Sequence, residues 1–276
     1  MLTSLNCNQK ILNLSSPQVM GILNVTPDSF SDGGKFTQLD NALRQTEQMI
    51  NDGASIIDIG GESTRPDAIS VSEKDELARV IPLLKTIKAH FDVVISIDTN
   101  KAAVMAEALS YGANIINDVR ALQNDGCLEV LAKSDVPICL MHMQGLPQTM
   151  QTKTQYNDLI DDISNFFQQR IMACQQVGIK RERLILDPGF GFGKTLQQNY
   201  QLLANFAKFK KFNLPLLSGT SRKSMIGNLL ECSIDKRLAG SLTTAIIAIQ
   251  QGANIIRVHD VKETVDAIKI LQATAQ

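Results

Sequence analysis

Tryptophan is absent from the 276 residues, and aromatic residues make up only 5%. That scarcity rules out a broad surface of stacked rings. A flat ligand would have to stack on one of a few phenylalanines or on arginine. No excess of one charge exists either: 27 basic and 28 acidic side chains leave a formal charge of −1, with both signs mixed along the chain. Such a balance argues against nucleic acid or an anionic membrane as partner. The apolar runs are all far too short to cross a bilayer. Residues 1–18 lack the basic start and long apolar stretch of a signal peptide. The five cysteines, Cys7, Cys127, Cys139, Cys174 and Cys232, form no C-x-x-C pair. They read as small core hydrophobes or free thiols in a reducing compartment. A soluble cytoplasmic protein is expected.

Two nucleotide signatures are also missing. No G-x-G-x-x-G follows the first strand pattern. Asp187–Thr195 ends in Gly-Lys-Thr, but Pro188 stands where a phosphate-wrapping loop needs its first glycine. Proline has no N–H to offer a phosphate. Lys194 is therefore read as a local cap or neutralising charge.

One phrase is present three times. Gly53-Ala54-Ser55-Ile56-Ile57, Gly112-Ala113-Asn114-Ile115-Ile116 and Gly252-Ala253-Asn254-Ile255-Ile256 each follow a helical pattern, over Leu39–Asn51, Lys101–Tyr111 and Leu238–Gln251. Glycine just past a helix takes the left-handed conformation that ends it, and the β-branched pair starts a strand. Further strands are expected at Val19–Leu23, Val93–Ile97, Ile138–Met141, Leu184–Leu186 and Leu214–Leu217. Their unbroken apolar character suits strands buried on both faces of a parallel sheet. Eight such β/α units in this length predict a single-domain TIM (β/α)8 barrel over residues 19–276, with residues 1–18 as an N-terminal extension and long first and second βα loops.

The residues closing these strands are Asn24, Asp58 with Glu62, Asp98, Asn117, His142, Asp187, Ser218, and Arg257 with His259. A barrel gathers such positions at its C-terminal face. Capping alone would explain any one Asp, Asn or Ser, but it does not require two basic residues at the last strand. His142 reads as a packed histidine rather than a ligand. Arg65, Lys223, Arg257 and His259 suggest an anion site, and Ser221–Ser224 precedes a helix whose N–H groups would add to it. Asp98 and Asp187 could bind a metal, act as bases, or accept paired N–H donors from a heterocycle. No ligand spacing supports zinc. Together these residues suit a polar planar heterocycle and a phosphate-like anion.

The long motifs Met20–Gly34, Gly60–Pro66, Asp187–Lys194, Ser221–Ser224 and Arg257–Asp260 resemble those of dihydropteroate synthases, in the same order and across nearly the whole chain. The resemblance implies condensation of 6-hydroxymethyl-7,8-dihydropterin pyrophosphate with p-aminobenzoate, giving 7,8-dihydropteroate and pyrophosphate. It implies that Asp98, Asn117, Asp187, Lys223 and Arg257 bind the pterin, with Asp98, Asp187, Lys223 and Arg257 as the catalytic set. Asn24, Thr64, Arg65, Arg257, Val258 and His259 would surround the diphosphate, with Asn24 the protein ligand of a Mg²⁺. Phe30, Arg65, Pro66, Phe192 and Ser224 would form the p-aminobenzoate pocket. A homodimer and sulfonamide sensitivity are implied as well. Asp67 departs from the glycine common there in the family, which bears on the second loop and drug sensitivity. Two rivals are a corrinoid-dependent methyltransferase with a pterin-binding barrel and a catalytically inactive pterin-binding paralogue. The first has no use for Phe30 or the Ser221–Ser224 motif. The second would be expected to lose Asn24, Arg65 or Lys223.

Overall fold

A computed structural model describes residues 3–25, 35–62, 71–145, 150 and 154–274. A hairpin comes first: β1 (Ser4–Cys7) pairs antiparallel with β2 (Lys10–Asn13). Strands and helices then alternate as β3 (Gln18–Asn24), α1 (Lys35–Asn51), β4 (Ile56–Gly60), α2 (Glu73–His90), β5 (Val94–Asp98), α3 (Ala102–Ser110), β6 (Ile115–Asp118) and α4 (Cys127–Ala132). The series continues with β7 (Ile138–Met141), α5 (Leu159–Gln176), β8 (Leu184–Asp187), α6 (Leu196–Ala204), β9 (Leu217–Ser218), α7 (Ser224–Leu230), α8 (Leu238–Gln250), β10 (Ile255–Val258) and α9 (Val261–Ala273). Strands β3 to β10 form one parallel sheet in the order β8-β7-β6-β5-β4-β3-β10-β9. Its two edges meet at a parallel bridge between Leu186 and Leu216, where the Leu186 N–H donates to the Pro215 carbonyl at 2.9 Å. The sheet closes as a TIM (β/α)8 barrel.

The thrice-used phrase works as a joint. Gly53, Gly112 and Gly252 all have φ between 82° and 104° and end α1, α3 and α8. The polar residue two places on then ties the new strand to its neighbour. Ser55 Oγ donates to the Val19 carbonyl (3.3 Å), Asn114 Oδ1 accepts from the Ile95 N–H (2.9 Å), and Asn254 Oδ1 accepts from the Leu216 N–H (3.0 Å). That last bond explains one departure from expectation. The seventh barrel strand was expected over Leu214–Leu217 but begins only at Leu217, because Pro215 has no N–H and the Leu216 N–H is bound by a side chain.

Alternation along each strand sends one set of side chains inward and the other under the helices. Ile57, Ile59, Ile95, Ile97, Ile116, Leu140, Leu186 and Ile256 belong to the outer core. The inner layer takes one residue from each barrel strand: Met20, Ile56, Val94, Ile115, Cys139, Ile185, Leu217 and Ile255. Leu5, Cys7, Leu12 and Leu14 from the hairpin segment pack against this layer, so the chain start plugs the N-terminal end. Full burial of each such aliphatic side chain contributes about 1.5–3 kcal/mol. Two residues further along the strands the inward positions become polar: Asp58, Ser96, Asn117, Asp187 and Arg257. An apolar plug lies beneath a charged floor.

Candidate active site

The floor is organised around Arg257. Its Nε donates to Asp58 Oδ2 at 2.6 Å on β4, and its Nη2 donates to Asp98 Oδ2 at 2.8 Å on β5. Asn117 Nδ2 also donates to Asp58 Oδ2, at 3.2 Å. Burial works against the Arg257 charge, but the two carboxylates outweigh it and its pKa lies above the ordinary value. Burial pushes the Asp98 carboxyl up, opposed by Arg257 and reinforced by Asp58. Asp187, at the end of β8, is raised by burial too, against the pull of Lys223 and of the Gly189 N–H that donates to its Oδ1 at 2.8 Å. Three carboxylates and two cations thus share a nearly dry space, where each charge depends on the others.

The loop after Asp187 is shaped by contacts within the protein. Gly189 has φ +71°, and a Cβ there would lie 2.0 Å from the His142 carbonyl oxygen, so only glycine fits. Lys194 turns inward. Its Nζ donates to the carbonyls of Gly189 (2.8 Å) and Phe192 (3.1 Å) and lies 3.0 Å from His142 Nδ1. Burial brings its pKa down to about 7. This lysine staples the loop, with its ammonium turned onto backbone carbonyls. Lys194→Met is expected to cost about 1–3 kcal/mol in a urea unfolding titration, through carbonyls left unpaired. The same change should leave the substrate KM within about two-fold, since a staple makes no uniform binding contact. Thr195 then starts α6 with a capping box to Gln198.

Lys223 reaches the same space from the β9 side. Its ammonium donates to the Phe190 carbonyl and stands 4.4 Å from the centre of the Phe192 ring. Burial lowers its pKa to about 8, partly offset by Asp187. Phe192 packs with Val119, Met141, Met143 and Met150. Ser224 follows as the exposed first residue of α7. The loops after β9 and β10 are stitched together. Ser221 Oγ accepts from the His259 N–H at 3.1 Å and lies 3.0 Å from its Nδ1. Arg222, left-handed at φ +56°, forks onto both carboxylate oxygens of Asp260.

The structure brings together Asp98, Asn117, Asp187, Lys223 and Arg257, with Phe192 beside Lys223. Asn24 stands at the end of β3, its Oδ1 flanking Gly60 across from Asp98. Phe30, Thr64, Arg65 and Pro66 lie outside the described residues. Not every strand-closing residue faces the site. His142 is buried on the outer side, edge-on to Phe166 with centroids 4.9 Å apart. Glu62 is drawn toward the helices by Lys101, which also pairs with Glu76, and Ser218 alternates outward from Leu217. Val258 belongs to the outer core, so only its backbone is available to a diphosphate. Sequence reasoning gave Asp58 no task. Its signal was present, as the one charged residue inside the apolar run Ile56-Ile57-Asp58-Ile59.

A closed (β/α)8 barrel with this floor defines a class, the pterin-binding barrel enzymes. The family model described as pterin binding enzyme matches residues 20–259. The chain is 56% identical over 263 residues to dihydropteroate synthase of Escherichia coli (strain K12), covering 95% of this chain and 93% of that one. A crystal structure of Yersinia pestis dihydropteroate synthase with a sulfonamide drug complex matches with a TM-score of 0.94 at 55% identity, over 99% of each chain. Dihydropteroate synthase from Xanthomonas albilineans in complex with 7,8-dihydropteroate matches at 0.90 and 41% identity, over 99% of this chain and 98% of that one. The chain belongs to the dihydropteroate synthases, alkyl-transferring enzymes of folate biosynthesis.

Proposed function

We propose that the barrel floor binds the pterin of 6-hydroxymethyl-7,8-dihydropterin pyrophosphate by its polar edge, and that the rim joins its methylene to p-aminobenzoate by an ionisation-first substitution. Asp98 and Asp187 accept the amino and ring N–H donors of the pterin, and Asn117 supplies a two-headed amide. Lys223 donates to the ring, and the guanidinium of Arg257 stacks on its face. The observation that carries this reading is the fixed guanidinium plane of Arg257, held between carboxylates of adjacent strands above an apolar plug. Arg257, His259 and the Val258 backbone receive the diphosphate; the same role expected of Thr64 and Arg65 falls outside the described residues. Phe192 and Ser224 contribute to the p-aminobenzoate pocket, together with the roles expected of Phe30, Arg65 and Pro66, which lie outside the described residues.

Among the described residues, no group of three or more His, Cys, Asp or Glu side chains could hold a metal ion. Asn24 offers a neutral oxygen at the end of β3. That donor set suits Mg²⁺, which keeps its waters and takes most ligands from phosphate oxygens. When bound, the ion would neutralise diphosphate charge.

The methylene C–O bond breaks with its electron pair leaving on pyrophosphate, and the positive charge spreads into the electron-rich dihydropterin. Asp98 and Asp187 provide an anionic environment for that cation, while Arg257 and His259 take up the leaving-group charge. The arylamine attacks through its lone pair and then loses a proton to water or pyrophosphate. Already unprotonated at neutral pH, it needs no dedicated base. Pyrophosphate release from the pterin diphosphate, followed with and without p-aminobenzoate, tests both parts. Release stimulated by p-aminobenzoate and yielding dihydropteroate is expected, with slow release in its absence when the cation is trapped. Strict dependence on p-aminobenzoate under trapping would sink the ionisation-first order. Methyl transfer without pyrophosphate would sink the reaction. A homodimer is also proposed, because a second copy would cover the exposed Leu229, Leu230 and Ile234. No helix among the described residues is long and apolar enough to cross a membrane.

A further inference from the structure

Asp58 is wholly buried in the middle of β4, between Ile57 and Ile59 that face the helices. A carboxylate this deep is stable only when it is paired and hydrogen-bonded. Here the pairing is lopsided. Oδ2 takes both the Arg257 Nε and the Asn117 Nδ2, while Oδ1 has no hydrogen-bond partner among the described residues. The hydroxyl of Ser96, its register partner on β5, is likewise buried without a partner among the described residues. An apolar residue would fill this place at less expense, so the carboxylate needs another reason to be there.

We infer that Asp58 is a positioning residue of the reaction: it holds Arg257 and Asn117 in their binding orientation while Asp98 exchanges its arginine contact for the pterin. This rests on reading the floor as the pterin site. Arg257 has two carboxylate partners with different duties. Asp98 closes β5 and lies level with Gly60, where a ligand arrives. When the same carboxylate also accepts from the pterin edge, its charge is shared between ligand and Nη2 and its hold on the arginine weakens. Asp58 sits two residues below Gly60, sealed from solvent, and its hold does not compete with the ligand. A bond at Nε fixes the last torsion of the arginine stem and with it the guanidinium plane. Asn117 is set by the same oxygen. With one Nδ2 hydrogen committed to Asp58, the amide plane is set, and Oδ1 and the second N–H remain for a ligand. One buried carboxylate thereby orients a stacking cation and a two-headed amide before substrate enters, which is preorganisation of the kind that raises kcat.

The test uses the full chain and steady-state kinetics with both substrates. Asp58→Asn keeps the shape and one acceptor but removes the charge. Asp58→Ala removes both. Asp58→Asn is expected to lower kcat about ten-fold and to raise the KM for the pterin diphosphate, with the KM for p-aminobenzoate within about two-fold of wild type. Asp58→Ala should fall about a further ten-fold, so that asparagine partly rescues it. A double-mutant cycle carries the decisive readout. In an Arg257→Gln background, adding Asp58→Asn should cost less than about two-fold, because the residue through which it acts is gone. Wild-type kcat in Asp58→Asn, or the same fold loss in both backgrounds, would overturn the inference. Failure of the underlying reading is separately visible, since wild-type protein would then show no pyrophosphate release dependent on p-aminobenzoate.

Discussion

Asp187→Ala is expected to lower kcat/KM for the pterin diphosphate by about 10²–10³, equivalent to about 2.7–4 kcal/mol of lost transition-state stabilisation. The carboxylate closes β8 with one oxygen committed to the Gly189 N–H, which leaves the other for the pterin donors proposed for it. Each hydrogen bond to a charged group is worth about 1.5–3 kcal/mol, and the orphaned Gly189 N–H adds about 1–3 kcal/mol of instability. Asp187→Asn separates the two effects. It keeps an acceptor for Gly189, so thermal stability should stay near wild type, while the reversed polarity of one oxygen still removes most activity. Circular dichroism melts alongside initial rates distinguish them. Near-wild-type kcat/KM in Asp187→Ala would remove Asp187 from the pterin site.

Lys223→Ala should cost about 10²-fold in kcat/KM, and it should also abolish part of the pH profile. Burial has brought the ammonium down to about 8. The free enzyme therefore carries the Lys223 charge below that pH and loses it above. A ligand bound through the charged form is favoured on the acid side, so kcat/KM should decline as pH rises through about 8. Lys194 titrates lower, at about 7, but it faces carbonyls, and Lys194→Met should leave the alkaline limb in place. Lys223→Arg keeps the charge at all accessible pH while misplacing it, so its profile should be flat there at reduced rate. An unchanged alkaline limb in Lys223→Ala would exclude Lys223 as its source.

Much of this architecture was readable because it is local. The three Gly-Ala-Ser/Asn-Ile-Ile joints each announce a helix end and a strand start within five residues, and eight β/α units in this length leave few alternatives to a barrel. Side-chain direction was less legible. His142 and Asp187 both close a strand, yet one faces Phe166 and the other the floor, because parity along each strand sets direction. Asp58 went without a role because its partner Arg257 is 199 positions away. The hairpin escaped notice because its turn is Asn8-Gln9 at φ 52° and 71°, where a sequence reader looks for Asn-Gly. Lys194 shows the reverse hazard, a motif-like lysine whose surroundings make it structural.

The hairpin at the chain start has a dielectric consequence. Leu5, Cys7, Leu12 and Leu14 fill the far end of the barrel, and Asn114 Nδ2 fixes them by donating to the Cys7 carbonyl at 2.9 Å. They keep water from the underside of Asp58 and its neighbours, where it would screen the interaction with Arg257. Charges in a low-permittivity medium act on one another several-fold more strongly than in water. In the proposed reaction, the field felt by a cation forming at the barrel mouth would thus be set partly by four apolar side chains at the opposite end.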